Sequence, residues 1–198
     1  MRVAFLLTTD PQSARAQFSK ETLENIGFKV VFYIAIANND KVLSNKLSML
    51  AIYNEILIGN SEWGYVFEDD VNVVEPIHLN EIVQYEKISS PFFYLGCCMM
   101  NNREETVNNT GRVINNHPVM NVSGQVRGLH GIGITRLGAK ELIEFANASK
   151  ERYMDCILES FSQIYPANIV RYDLQSPLEK GHRGVLFQDR QAFPPTIR

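Results

Sequence analysis

Three acidic residues in succession, Glu68-Asp69-Asp70, follow directly on the apolar run Tyr65-Val66-Phe67 in the segment WGYVFEDDV. A buried strand cannot carry three charges onward, because a carboxylate taken out of water without a partner costs several kcal/mol. The acids therefore mark the strand's end and need compensation there. Carboxylates fixed at such a tip suit a hard divalent cation, Mg²⁺ or Mn²⁺, which takes oxygen ligands and completes its shell with water and substrate phosphate. A solvated acidic turn that caps the next segment is the plainer alternative.

Other groups have chemistry that could join these acids. His130 lies among glycines in GLHGIG, where it can touch a ligand or serve as a hydrogen-bonded core histidine. His182 in EKGHRG, either a ligand or a solvated tail residue, is flanked by Lys180 and Arg183, two cations able to make charge-assisted bonds to phosphate. Asp155 in RYMDCILES stands at the start of a helical pattern, off its apolar stripe; the helix dipole alone favours an acid there, and so does a role as a base. Thr8, Thr9 and Asp10 close the first apolar run, with Arg15 within reach of the same end. No Walker-type or dinucleotide glycine pattern follows that run, which disfavours a Gly-rich phosphate loop and favours metal-mediated binding of a diphosphate. Trp63, the single tryptophan, reads as core more readily than as a platform for a sugar ring.

The elements that must position these residues alternate between strand and helix. RVAFLLT at 2–8 is a continuous apolar run suited to a buried parallel strand. Ser13 can cap a helix carrying Phe18, Thr22, Leu23 and Ile26, with Gly27 placed as a left-handed C-terminal cap. FKVVFYIAIA gives a second strand, and strand-helix-strand implies a right-handed parallel crossover. A helix over Ser44–Ile58, the strand ending in the acids, a short helix over Pro76–Glu86 and a buried strand PFFYLGCC follow. The Asn-rich stretch 101–125 suggests hairpins or an excursion that shapes a pocket rim. VRGLHGIGIT reads as a further strand, followed by two amphipathic helices and a last apolar stretch, ANIVRYDL.

Composition narrows the function classes. With 198 residues, 45% of them apolar, a single α/β domain over 1–198 is expected. The 19 basic and 22 acidic side chains leave a formal charge of -3 with no basic block, which argues against nucleic acid as the main partner. No stretch reaches the ~20 apolar residues of a membrane span. The N-terminal apolar run turns polar too early for a secretory signal, so the chain is read as cytoplasmic. Three cysteines, Cys97 and Cys98 adjacent in an apolar run, read as reduced thiols rather than a disulfide framework or a paired zinc site.

LSNKLSMLAIYNEILIGNSEWGYVFEDDV resembles the GT-A glycosyltransferases of the lipopolysaccharide-biosynthesis type (family 25), and GLHGIGITRLGAKELIEF is similar to that family's later strand-helix segment. The small glycosyltransferases of large DNA viruses are similar in size and layout, which would place the chain in the host cytoplasm. The sequence departs from the family pattern at Met49, where a His commonly follows the Ser, and in its short Asp10–Arg15 segment. The resemblance implies a GT-A, Rossmann-like fold with a mixed, mostly parallel sheet flanked by helices. It implies a nucleotide-sugar donor, a UDP-sugar or related compound, bound through Mn²⁺ or Mg²⁺, and a glycan or glycoprotein acceptor. Carried over by position, Asp70 ligates the metal with His182, while Glu68 and Asp69 contact the ribose or donor sugar. Thr8, Thr9 and Asp10 meet the base and its ribose, Arg15, Lys180 and Arg183 meet phosphate, and His130 meets donor or acceptor sugar. Asp155 becomes the base of an inverting transfer. Two other readings remain: a catalytically silent GT-A-like domain that binds a glycan or nucleotide, and a metal-dependent nucleotidyl or phosphotransfer enzyme, commonly with two metals.

Overall fold

The structure, a computed structural model, describes residues 2–99 and 106–193. Its first half is built by two crossovers from one central strand. β1 (Val3–Thr8) leads through α1 (Ala14–Ile26) to β2 (Lys29–Ile34), which pairs parallel with one edge of β1. The chain returns through α2 (Lys41–Ile58) to β3 (Trp63–Glu68), parallel on the other edge of β1. Ser13 accepts from the Ala16 N–H, and Gly27 closes α1 at φ 113°, a left-handed conformation that glycine adopts without a Cβ penalty. α2 starts before the expected Ser44 because the Asp40 carboxylate accepts the N–H groups of Val42 and Leu43.

Alternation along the strands divides the apolar side chains between two cores. Leu6 and Phe67 point to the α1 side with Leu23 and Ile26, and Leu7 and Val66 to the α2 side with Met49 and Ile52. α1 and α2 therefore cover opposite faces of the sheet, as successive right-handed crossovers in opposite directions require. Trp63 is 4% exposed and lies against Phe93, a core residue and no sugar platform.

Among the described residues the remaining elements are β4 (Val71–Val73), α3 (Leu79–Glu86), β5 (Phe92–Met99), β6 (Val107–Ile114), β7 (His117–Val122), β8 (Val126–Thr135), α4 (Arg136–Ala148), α5 (Met154–Ile164), β9 (Ala167–Ile169), β10 (His182–Gly184) and β11 (Leu186–Gln188). The main sheet runs β2-β1-β3-β8-β5-β9-β7-β6, with β10 also paired to β5; β4 and β11 form a small second sheet. β1, β2, β3, β5, β6 and β9 point one way, and β7, β8 and β10 the other. The fold is α/β with a mixed sheet whose larger part is co-directional, and among the described residues no helix is long and apolar enough to cross a membrane.

The Asn-rich stretch becomes the β6–β7 hairpin, with its residues 101–105 outside the described set. Asn115 and Asn116 turn it at φ 48° and 69°, positive values that asparagine tolerates and that match strand twist. The hairpin docks on α3, where Asn115 donates to Glu81, itself held by Arg171 at 2.7 Å. It lines a groove with α3.

The C-terminal segment doubles back across β5. It can do so because β5 bulges at Gly96, where a Cβ would lie 1.7 Å from the Leu186 carbonyl oxygen. Gly96→Ala is expected to push β11 off the sheet and destabilise the protein by about 3 kcal/mol or more. Urea unfolding checks this; an unchanged midpoint would show that the crossing tolerates a side chain.

Candidate functional site

The ends of β1 and β3 open into a cleft of about 570 Å³ where the two crossovers diverge, the place at which ligands collect in open α/β sheets. Thr8, Thr9, Arg15 and all three acids line it, together with Lys41, Ser44 and Asn45 from α2 and Gln188 and Arg190 from the C-terminal segment. The acids are compensated from four directions. The Thr8 hydroxyl donates to Asp69 Oδ2 at 2.5 Å. Arg15 donates through Nε to Asp69 Oδ1 at 2.5 Å and pairs through Nη2 with Asp70 Oδ2 at 3.0 Å. The Asn45 amide reaches Glu68 Oε1 at 3.0 Å and the Gln188 amide reaches Oε2 at 2.7 Å.

This compensation is incomplete. Desolvation pushes the Glu68 carboxyl up to about 7, and the charges of Asp70 and Asp69 add to it against the Asn45 hydrogen bond. Desolvation also raises Asp70, although Arg15 and His130 pull it back. Asp70 is 3% exposed, and among the described residues its Oδ1 has no hydrogen-bond partner. An orphaned buried carboxylate oxygen in a cleft of oxygen donors fits a hard divalent cation, so the donor set suits Mg²⁺ or Mn²⁺ with Asp70 as ligand.

Asp155 lies beside this cleft. It lines an adjoining pocket of about 260 Å³ whose wall includes Asn45, Glu68, Gln188 and Arg190, residues shared with the acidic cleft. Its Oδ1 accepts the Cys156 N–H at the start of α5. Gly128 and Tyr153 complete part of the same wall.

Several residues expected at the site are placed elsewhere. His182 is 1% exposed; its Nδ1 accepts the Ser176 N–H at 2.9 Å, and its Nε2–H donates to the Leu186 carbonyl at 2.7 Å. With both ring nitrogens committed, His182 is no metal ligand; it is a core histidine. Lys180 is exposed outside the cleft lining, and Arg183 lies 5.5 Å over the Tyr172 ring while donating to the His182 carbonyl, so neither meets phosphate there. Asp10 caps its own loop by accepting the Gln12 N–H, and it too stands outside the cleft lining. Arg15 lines the cleft and is engaged with Asp69 and Asp70. His130 is buried beneath the site with Nε2 on Glu179 at 2.9 Å and near Cys98 at 3.5 Å.

The residues that sequence reasoning missed are Lys41, Asn45, Gln188 and Arg190. Asn45 could have been found, since it stands one turn into a helix that leads to the acidic strand. Gln188 and Arg190 carry no local signal; the Arg190 guanidinium donates to Gln188 Oε1 at 2.6 Å and orients the amide that holds Glu68.

The chain matches no protein-family profile and no curated protein sequence.

Burial lowers the His182 imidazole to about 4, while the Leu186 carbonyl works the other way. The unfolded chain then binds a proton near pH 6.5 that the native state refuses until about 4, so stability falls as pH drops through that window. The loss approaches about 3 kcal/mol at its acid end. Equilibrium unfolding between pH 7 and 4 should show this component, and it should vanish in His182→Gln; an unaltered slope in that variant would assign the acid sensitivity to other groups.

Proposed function

We propose that the protein is a metal-dependent glycosyltransferase that moves a sugar from a nucleoside diphosphate, preferably UDP, to a hydroxyl of a glycan or glycoprotein acceptor, with inversion. The observation that carries this reading is the shared wall: an acidic, cation-suited cleft at the ends of β1 and β3 abuts a second pocket lined by the Asp155 carboxylate at the start of α5. The resemblance of the EDD segment to the GT-A enzymes supports the same assignment. In this reading the chain works in the cytoplasm, where nucleotide sugars are available to it.

Each group has a role in this reading. Thr8 and Thr9 receive the base and ribose at the end of β1. Asp70 holds the cation through its unpaired oxygen, and Glu68 and Asp69 face the ribose and donor sugar. When bound, the cation neutralises the charge that develops on the departing diphosphate. Lys41 and Arg190, which both line the cleft, add positive charge for the same phosphates. Asp155 takes the proton from the acceptor hydroxyl as its oxygen attacks the anomeric carbon from the face opposite the diphosphate. Arg15 spaces and neutralises Asp69 and Asp70 before the cation arrives.

One observation favours a second reading, the catalytically silent GT-A-like domain. The Arg15 guanidinium already stands on Asp69 and Asp70 as an internal cation could in a protein that has abandoned metal. Nucleotide binding without metal and without turnover would select it.

A thermal-shift series over nucleotide sugars, with and without Mn²⁺, identifies the donor, because a ligand that binds the native state raises the midpoint by mass action. A Mn²⁺-dependent rise for one UDP-sugar is expected, and Asp70→Ala should abolish it. Should that variant keep both the shift and turnover, the metal assignment fails. Asp155→Asn should retain the donor shift and lower transfer by roughly 10² or more. Wild-type turnover in Asp155→Asn would remove that residue from the role of base.

A further inference from the structure

We infer that Cys98, His130 and Glu179 form a second metal site, for a zinc-type divalent ion, beneath the acidic cleft and separate from it. The three side chains come from β5, β8 and the loop before β10, and their ligand atoms all lie within 4.8 Å of one another. Cys98 Sγ is 3.5 Å from His130 Nε2, and that nitrogen is 2.9 Å from Glu179 Oε2. A tetrahedral ion with bonds of about 2.3 Å to sulfur and about 2.0 Å to nitrogen sets those two ligands about 3.5 Å apart. The sulfur-nitrogen edge is thus in place, and the oxygen needs to retreat by a few tenths of an ångström from a hydrogen-bonded to a ligating distance.

Ligand chemistry separates this site from the other one. One thiolate, one imidazole and one carboxylate suit Zn²⁺ or Co²⁺, whereas the oxygen-only cleft around Asp70 suits Mg²⁺ or Mn²⁺. None of the three residues lines that cleft. Binding displaces protons: the ion would take the Cys98 sulfur with release of the thiol proton to water, and the Nε2 lone pair once the proton that Nε2 donates to Glu179 has moved to Nδ1. Three protein ligands leave a fourth position for water. The ion would staple three segments distant in sequence. Glu179 Oε2 also accepts the Gln188 N–H at 3.3 Å, and the Gln188 amide holds Glu68, so the staple would brace the C-terminal strand against the cleft.

Cobalt is the probe, because a Co²⁺–thiolate bond gives a near-ultraviolet charge-transfer band that oxygen and nitrogen ligands do not. The protein, stripped with chelator and titrated with Co²⁺, should develop that band at one ion per chain, and Zn²⁺ should bleach it. Cys98→Ser should lose the band while still unfolding cooperatively, and Glu179→Gln should weaken Co²⁺ binding about tenfold. Cys156→Ser and Asp70→Asn should keep the band, the latter even if the glycosyltransferase reading fails. Absence of a thiolate band in the wild-type protein overturns the inference without recourse to any variant, as does a band that survives Cys98→Ser.

Discussion

Three carboxylates at the tip of a buried strand set the constraint that organises this molecule. Glu68 ends β3 and Asp69 and Asp70 turn the chain into β4 inside a cleft, and isolated they would each cost several kcal/mol. The structure answers with donors from elements far apart in the chain: a hydroxyl at the end of β1, a guanidinium on α1, an amide on α2 and another on β11. Gly96 belongs to the same solution, since only a residue without a side chain lets the C-terminal segment cross β5 and deliver Gln188. The answer is partial by design of the site: one oxygen of Asp70 stays unpartnered among the described residues, and Glu68 is held near neutrality in its proton affinity.

An incompletely compensated anionic patch of this kind attracts positive charge. The Asp155 pocket shares part of its wall, and in the proposed reading a donor seated on one side and an acceptor on the other would meet across Glu68 and Gln188. The helix start that fixes Asp155 also keeps its carboxylate on a rigid element, which proton abstraction needs for a defined approach.

The parts legible in the sequence were those governed by local rules. β1 and β3 read as apolar runs, α1 as a capped helix closed by Gly27, and the acids as the end of a strand. The Asn115-Asn116 turn was implicit in an Asn-rich stretch, although the hairpin's docking on α3 was not. What failed was long-range placement. His182 read as a metal ligand, or else a solvated tail histidine, because nothing nearby tells that the chain buries it with Nε2 on the Leu186 carbonyl, and Lys180 and Arg183 inherited the same misplacement. Asn45, Gln188 and Arg190 are ordinary polar residues whose role exists only once three segments converge. The position of Asp155 at a helix start, off the apolar stripe, is a local property and was readable; that this helix start lines the pocket beside the cleft was not.

The central claim is that the β3 tip grips a cation which in turn grips a diphosphate. Electron paramagnetic resonance of free Mn²⁺ during titration with the protein measures this directly. The account predicts one bound Mn²⁺ whose affinity rises about tenfold or more when uridine diphosphate is present, with both the binding and the rise lost in Asp70→Ala. Mn²⁺ binding that is indifferent to uridine diphosphate, or that persists unchanged in Asp70→Ala, would contradict it.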